Sequence, residues 1–221
     1  MNKTTAGGSG PRRARTAGRL RDAAEIFGMT VALALAVKTF VVDAVHVPSA
    51  SMENTLLVGD FVLVNKFVYG ASTPRFLPLA GSRLPVLRLP APGSPQRGDV
   101  IVFYAPDGSP PRLYVKRLVG LPGDTVMLRG GTLLVNGREI PSPPSAKPPR
   151  TPVPDFGPVV VPEAGGKILY FVLGDNREDS LDSRAWGFVP FDHVVGRAMM
   201  IYWSVDSRTG IRWGRPGTVI R

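Results

Sequence analysis

Cysteine is absent from this chain of 221 residues. That excludes a disulfide framework, a thiol nucleophile and any cysteine-based metal site. Histidine is nearly absent: His46 and His193 are too few for an ordinary zinc site. Acidic residues are scarce, 17 against 27 basic, which leaves a net charge of +10. Such a balance suits nucleic acid or a membrane surface. No uninterrupted uncharged run reaches the ~20 residues of an ordinary spanning helix. What the chain does have is glycine and proline, 25 and 23 residues, just over a fifth of the total. That argues against a helix bundle and for strands joined by many turns. With 43% apolar and 20% charged residues the chain as a whole is not disordered. Its length suits one domain, or a core with a modest inserted lobe.

The charge is concentrated at one end. Residues 1–23 hold Lys3, Arg12, Arg13, Arg15, Arg19 and Arg21 against a single acid, Asp22. This Gly-, Ser- and Thr-rich segment reads as a disordered tail. It has no aromatic residue to stack on bases and no attached reader fold, so nucleic acid is not the expected partner. The apolar run Ile26–Val37 follows and resumes after Lys38 as Thr39–Val42. Counted through Lys38 it spans 17 residues, or ~25 Å of helix. That is enough for a thin span with Lys38 reaching back to the headgroups. A buried core helix and a cleavable signal peptide are the other readings. Either membrane reading puts the basic tail in the cytoplasm and the following residues outside.

Beyond Asp43 the pattern turns to period two. Phe61–Phe67, Val100–Tyr104, Leu113–Val119, Thr125–Leu128, Thr132–Val135, Ile168–Leu173 and Val194–Trp203 read as strands. Gly130-Gly131 and Asn136-Gly137 are hairpin turns. Two proline-rich stretches interrupt: Pro74–Pro95, and Pro141–Pro162 with nine prolines, which reads as an exposed loop or linker.

Four segments carry chemistry. Pro48-Ser49-Ala50-Ser51-Met52 places two serines around a small residue, so one hydroxyl can attack while the other and a backbone N–H face an oxyanion. Arg97-Gly98-Asp99-Val100 is a turn into a strand and is structural on its own. Tyr114-Val115-Lys116-Arg117 sets a lysine in an apolar strand. If Lys116 faces inward, desolvation lowers its pKa, by up to ~3–5 units at the extreme, and makes it a usable base. Gly174–Arg184 is crowded with polar groups. There Asp182 and Arg184 can pair, and Ser180 can orient an amine. A Ser/His/Asp triad through His46 or His193 is conceivable. Lys116 lies in the denser motif, however, and a Ser/Lys dyad obeys the same logic.

In this order the segments resemble bacterial type I signal peptidase. PSASM followed by TLLVGDFVLVNKFVYG looks like its nucleophile box, and RGDVIVF, YVKRLVGLPGD and GDNREDSLDSRAWGFVP follow in the family's sequence. There are departures. Asn54 stands where the family usually has proline, and Glu178-Asp179 replaces the usual Asp-Asn.

The resemblance implies a mostly β fold: an antiparallel catalytic core (43–120 and 167–221), a smaller inserted β lobe with the proline-rich loop (121–166), a transmembrane anchor (23–42) and the basic tail (1–22). It implies Ser51 as nucleophile, Lys116 as general base, Ser180 hydrogen-bonded to the Lys116 amine, and an oxyanion hole from the Ser51 N–H and the Ser49 hydroxyl. Asp182 and Arg184 brace the site and Tyr114 packs beside the dyad. The substrate is the signal peptide of an exported preprotein, added as a strand beside Val45–Ser49 and Tyr114–Val115. Its small side chains enter pockets lined by Val47, Met52, Leu56 and Val115, with Val45 and Val102 nearby. No cofactor or metal is implied. The bilayer is a partner and the secretion machinery a further one. The location is the bacterial cytoplasmic membrane, single-pass, N-terminus cytoplasmic, with the catalytic domain on the extracytoplasmic side. Competing readings are another membrane Ser/Lys peptidase of the pilus-maturation type and a non-catalytic anchored β module. A self-cleaving repressor needs a DNA-binding domain that 22 tail residues cannot build.

Overall fold

The computed structural model describes residues 11–70, 72, 87–106, 112–143, 149–163 and 165–221, with the backbone alone for 11–20. The start of the basic tail, much of the first proline-rich stretch and 144–148 of the second lie outside the described residues.

Helix α1 runs Pro11–Phe40. It starts inside the stretch 1–22 that composition marks as disordered. Proline is favoured at a first helical position, and the Arg, Ala and Leu residues that follow are strong helix formers. Residues Arg21–Phe40 are long and apolar enough to cross a membrane, and none of that span is buried in the protein. Ile26, Phe27, Met29, Leu33 and Leu35 are all exposed. The helix stops two residues before the expected boundary at 42. Val41 turns, and β-branched Val42 opens a strand instead.

The strands form two antiparallel sheets. The larger contains β1 (Val42–His46), β2 (Asp60–Asn65), β3 (Val100–Tyr104), β4 (Leu113–Gly120), β9 (Leu169–Leu173), β10 (Val189–Pro190), β11 (Val194–Asp206) and β12 (Gly210–Ile211). Its order is β1-β2-β11-β3-β4-β9-β10, with β12 on β11. The smaller sheet runs β7-β6-β5-β8, from β5 (Thr125–Arg129), β6 (Thr132–Val135), β7 (Arg138–Glu139) and β8 (Phe156–Val160). The mostly β, antiparallel class read from the sequence is the class observed.

Periodicity explains the strands. In β2, Asp60, Val62 and Val64 are buried while Phe61, Leu63 and Asn65 are half-exposed, the signature of a strand with one covered face. The central strands differ: every residue of β4 from Val115 to Gly120 is buried, so the strand is covered on both sides. The small sheet's turns use the expected residues. Gly130, Gly131, Asn136 and Gly137 all have positive φ, as two-residue hairpin loops of the primed type require.

One expectation fails. The stretch Pro141–Pro162 is not all loop, because Phe156–Val160 forms β8 and pairs with β5. Proline is tolerated there because β8 is an edge strand. The first proline-rich stretch is held at its returning end by Arg88. Its guanidinium donates to the carbonyls of Tyr69 (3.0 Å) and Val194 (2.6 Å) and lies 4.4 Å from the Phe191 ring centroid.

Three apolar clusters knit the whole. One gathers Val45, Val47, Met52, Leu56, Val62, Val102 and Val115 beneath the first chemistry-bearing segment. A second joins the sheets through Val119, Val126, Leu128, Phe171 and Leu173. The third packs Ile101, Phe103 and Leu118 with Tyr69. Side chains buried to this degree contribute roughly 1.5–3 kcal/mol each.

Candidate active site

Ala50–Met52 form a single 3-10 turn entered from extended Ser49. Buried Met52 and Leu56 fasten it, and Leu56 N donates to Met52 O at 2.7 Å. The turn is also tied from across the chain. Asn176 N donates to Ser51 O at 3.1 Å, and Asn176 Nδ2 donates to Ala50 O at 3.2 Å. Ser51 therefore sits in a fixed frame, and its own N–H belongs to a first turn whose backbone donors have no partner within the turn.

Lys116 reaches this frame from β4. Its register is set by the pairs Ile101↔Lys116 and Val102↔Val115. Lys116 Nζ and Ser51 Oγ are hydrogen-bonded, and Ser49 Oγ lies 3.3 Å from Ser51 Oγ. Lys116 is only 4% exposed. Burial pushes its pKa down to about 8, against the opposing pull of Asp182 and Asp175. Loss of water disfavours the ammonium form, and among the described residues no carboxylate touches the amine to restore it. The Tyr114 ring packs alongside, its centroid 5.7 Å from Nζ.

The polar loop after β9 packs beside the Ser51–Lys116 pair. Asp182 is fully buried, accepts from Gly174 N at 3.0 Å and pairs with Arg184 through Nε at 2.8 Å and Nη2 at 2.9 Å. Arg184 also donates to Arg177 O at 2.8 Å. Gly174 permits the approach of the two segments: a Cβ there would lie 2.2 Å from Ser180 Oγ and 2.4 Å from Ser51 O. Ser180 corrects an expectation. Its hydrogen bond to the Lys116 amine is not made, and Ser180 Oγ is buried without a partner. The lysine bonds Ser51 instead.

A cleft of about 560 Å³ opens over Ser51 and Lys116. Of the six apolar residues expected around the substrate, Val47, Met52 and Val115 line it. Val45, Leu56 and Val102 are packed behind them in the same cluster. Leu113, Asp179 and Leu181 also line it, and nothing in their local sequence marks them out. Asp175 was likewise not singled out, although Arg117 Nε and Nη2 both bond it at 2.7 Å. Its partner lies 58 residues away, and no local pattern announces the pairing. Neither histidine serves Ser51. The His46 ring packs on Phe61, centroids 4.9 Å apart, and His193 Nδ1 is bonded to Tyr104 O at 3.0 Å. Asn54 has φ 83°, a conformation closed to the proline usual in the resembled family.

The chain is similar to known proteins. The family described as signal peptidase, peptidase S26, matches residues 20–203. The signal peptidase I of Leptolyngbya laminosa is 35% identical over 198 residues, covering 85% of this chain and 81% of that protein. The probable signal peptidase I-2 of a Synechocystis species is 36% identical over 185 residues, covering 82% and 72%. A crystal structure of a signal peptidase I from Enterococcus faecalis V583 is 38% identical, with a TM-score of 0.40, and covers 47% of this chain and 96% of that one. With the family match running from the apolar helix into the long strand β11, the chain belongs to the signal peptidase family, peptidase S26.

Proposed function

We propose that this membrane-anchored member of the family removes signal peptides from exported preproteins with Ser51 as nucleophile and Lys116 as general base. The observation that carries this reading is a buried lysine, touched by no carboxylate among the described residues, bonded to a serine held in a tight turn. Neutral Lys116 takes the Ser51 proton as Oγ attacks the scissile carbonyl. The oxyanion is met by Ser51 N–H and Ser49 Oγ. Collapse breaks the C–N bond, and Lys116 hands its proton to the leaving amine. Neutral Lys116 then deprotonates a water that attacks the acyl-enzyme, and returns that proton to Ser51 Oγ as the ester C–O bond breaks. Ser180, a buried hydroxyl bonded to no described residue, is given no step. Asp182 and Arg184 hold the loop that carries it.

Strand geometry supports an extended substrate. β1 is the outermost strand of its sheet. On β4, partnership with β9 begins only at Arg117, which leaves Tyr114 and Val115 a free edge. A peptide seated there adds a strand, and a cleft floored by Val47, Met52 and Val115 has room for small side chains. The apolar helix ends two residues before β1, which keeps Ser51 near the bilayer. The basic residues ahead of the span favour a cytoplasmic N-terminus and an extracytoplasmic catalytic domain.

The test is cleavage of a labelled preprotein by detergent-solubilised protein. Wild type cuts at the signal-peptide junction, and Ser51→Ala and Lys116→Arg are each reduced ~10³-fold or more. Arginine fails because guanidinium stays charged. The wild-type rate rises with pH through about 8 as Lys116 loses its proton. Substantial turnover in Lys116→Arg, or a rate flat between pH 6 and 9, overturns the dyad. A preprotein panel separates this reading from a peptidase with one dedicated substrate.

A further inference from the structure

A second cavity, of about 260 Å³, adjoins the cleft. Asp179 lines both. The new cavity is walled by Glu53 and Asn54, which directly follow the nucleophile turn, and by Asn176, Arg177, Glu178 and Asp179. Its far wall comes from the proline-rich stretch, through Pro149 and Arg150. That wall is latched in place: Thr151 N and Thr151 Oγ1 both donate to Glu178 Oε2 at 2.9 Å. The floor is rigid too, since Asn176 is bonded to the carbonyls of Ser51 and Ala50, and Asp179 N donates to Asn176 O at 3.2 Å.

A peptide lying beside Val45–Ser49 and Tyr114–Val115 fills the cleft up to Ser51. Its continuation past the scissile bond needs an exit. The second cavity begins at Glu53 on the other side of Ser51 and meets the cleft at Asp179. From this adjacency we infer that the second cavity receives the first residues of the mature protein, the part that leaves when the acyl-enzyme forms. The inference rests on the peptidase reading above. Its charge follows from the lining. Glu178 is engaged by Thr151, and Arg177 Nε donates to Gly174 O at 3.1 Å. Glu53 and Asp179 stand exposed at the rim. With Arg150 also exposed at the rim, the lining sets three carboxylates, Glu53, Glu178 and Asp179, against two guanidiniums, Arg150 and Arg177, and this net negative balance favours a basic residue just after the cut over an acidic one.

The test uses three substrates with identical signal halves and lysine, alanine or glutamate at the second residue after the cut. Wild type is expected to favour lysine over glutamate by roughly fivefold in kcat/KM, the scale of an exposed ion pair. The preference shrinks with added salt. Glu53→Gln with Asp179→Asn should flatten the ratio, and Glu53→Lys should invert it. Asp179 also acts on the Lys116 titration, but that affects all three substrates alike and leaves the ratio unmoved. The same lysine-to-glutamate ratio in all variants overturns the inference while the peptidase reading stands. Failure of wild type to cut any of the three overturns both.

Discussion

Lys116 and Arg117 are neighbours on β4, both buried, and the strand's alternation sends them to opposite faces. On one face Arg117 is held by a carboxylate and by carbonyls. Its guanidinium forks onto Asp175 and donates to Gly98 O at 2.6 Å, and Asp175 is in turn capped by Thr55 Oγ1 at 2.6 Å. On the other face Lys116 has a hydroxyl and, among the described residues, no touching carboxylate. The same strand therefore holds a buried cation met by a carboxylate, and a buried amine whose pKa burial pushes down to about 8. A buried charge with a complete partner set is structure. A buried ionisable group deprived of one is chemistry.

The sharpest way to break the contrast is to strip Arg117 of its partner. Asp175→Ala takes the carboxylate from a buried guanidinium and also removes one acceptor of Thr55. The expected loss is about 3–5 kcal/mol, read as a lower midpoint in denaturant melts. Arg117→Met in the same background should recover part of it, because the orphaned charge goes too. A double variant no more stable than Asp175→Ala means the pair is not the matched unit described above.

Parts of this arrangement are legible in the chain itself. Val100–Tyr104 and Thr132–Val135 have the bounds that β-branched runs give them, and Asn136-Gly137 announces its hairpin. The orientation of Lys116 is not legible from alternation. β4 is covered on both faces, so no exposed residue between Val115 and Gly120 shows which side is which. Ser51 and Lys116 stand out only as a motif, since 65 residues separate atoms that touch. β8 hides inside a proline-rich stretch because edge strands accept residues that central ones refuse. The Ser180 contact fails because residue order cannot say which of two hydroxyls a lysine will choose.

Lys116 offers the converse test, with a smaller effect. Its depressed pKa means the folded protein holds fewer protons than the unfolded chain between about 8 and the ordinary 10.5. Stability therefore rises with pH across that window, and below it the folded state carries a poorly solvated charge. Lys116→Met removes that cost. A shift of this size corresponds to about 3 kcal/mol at most, and about 1–3 kcal/mol of added stability is expected at pH 7. The gain should fade as pH approaches 10.5. An inactive variant that is more stable than wild type marks a residue kept for its reaction. A Lys116→Met protein that is less stable at pH 7 places Lys116 with Arg117, as part of the scaffold.

The smallest effect belongs to the histidines, and it decides whether Lys116 has a rival. His46 lines the cleft over Ser51, and an imidazole is the side chain most often used as a base, so it is the natural competitor. Its neighbours Val45 and Val47 both point into the core, and strand alternation turns His46 the other way. There its ring packs on Phe61, which continues to Tyr202 with centroids 6.0 Å apart. The His193 ring is bonded to the Tyr104 carbonyl. A base must reach the proton it abstracts, and neither ring does. The His46→Ala, His193→Ala double variant should keep its turnover within about threefold of wild type, any loss reflecting packing around Phe61. Its rate should still rise with pH through about 8, the Lys116 value. A ~10³-fold drop, the scale of a missing base, would move the proton transfer from Lys116 to an imidazole and erase the functional half of the Lys116–Arg117 contrast.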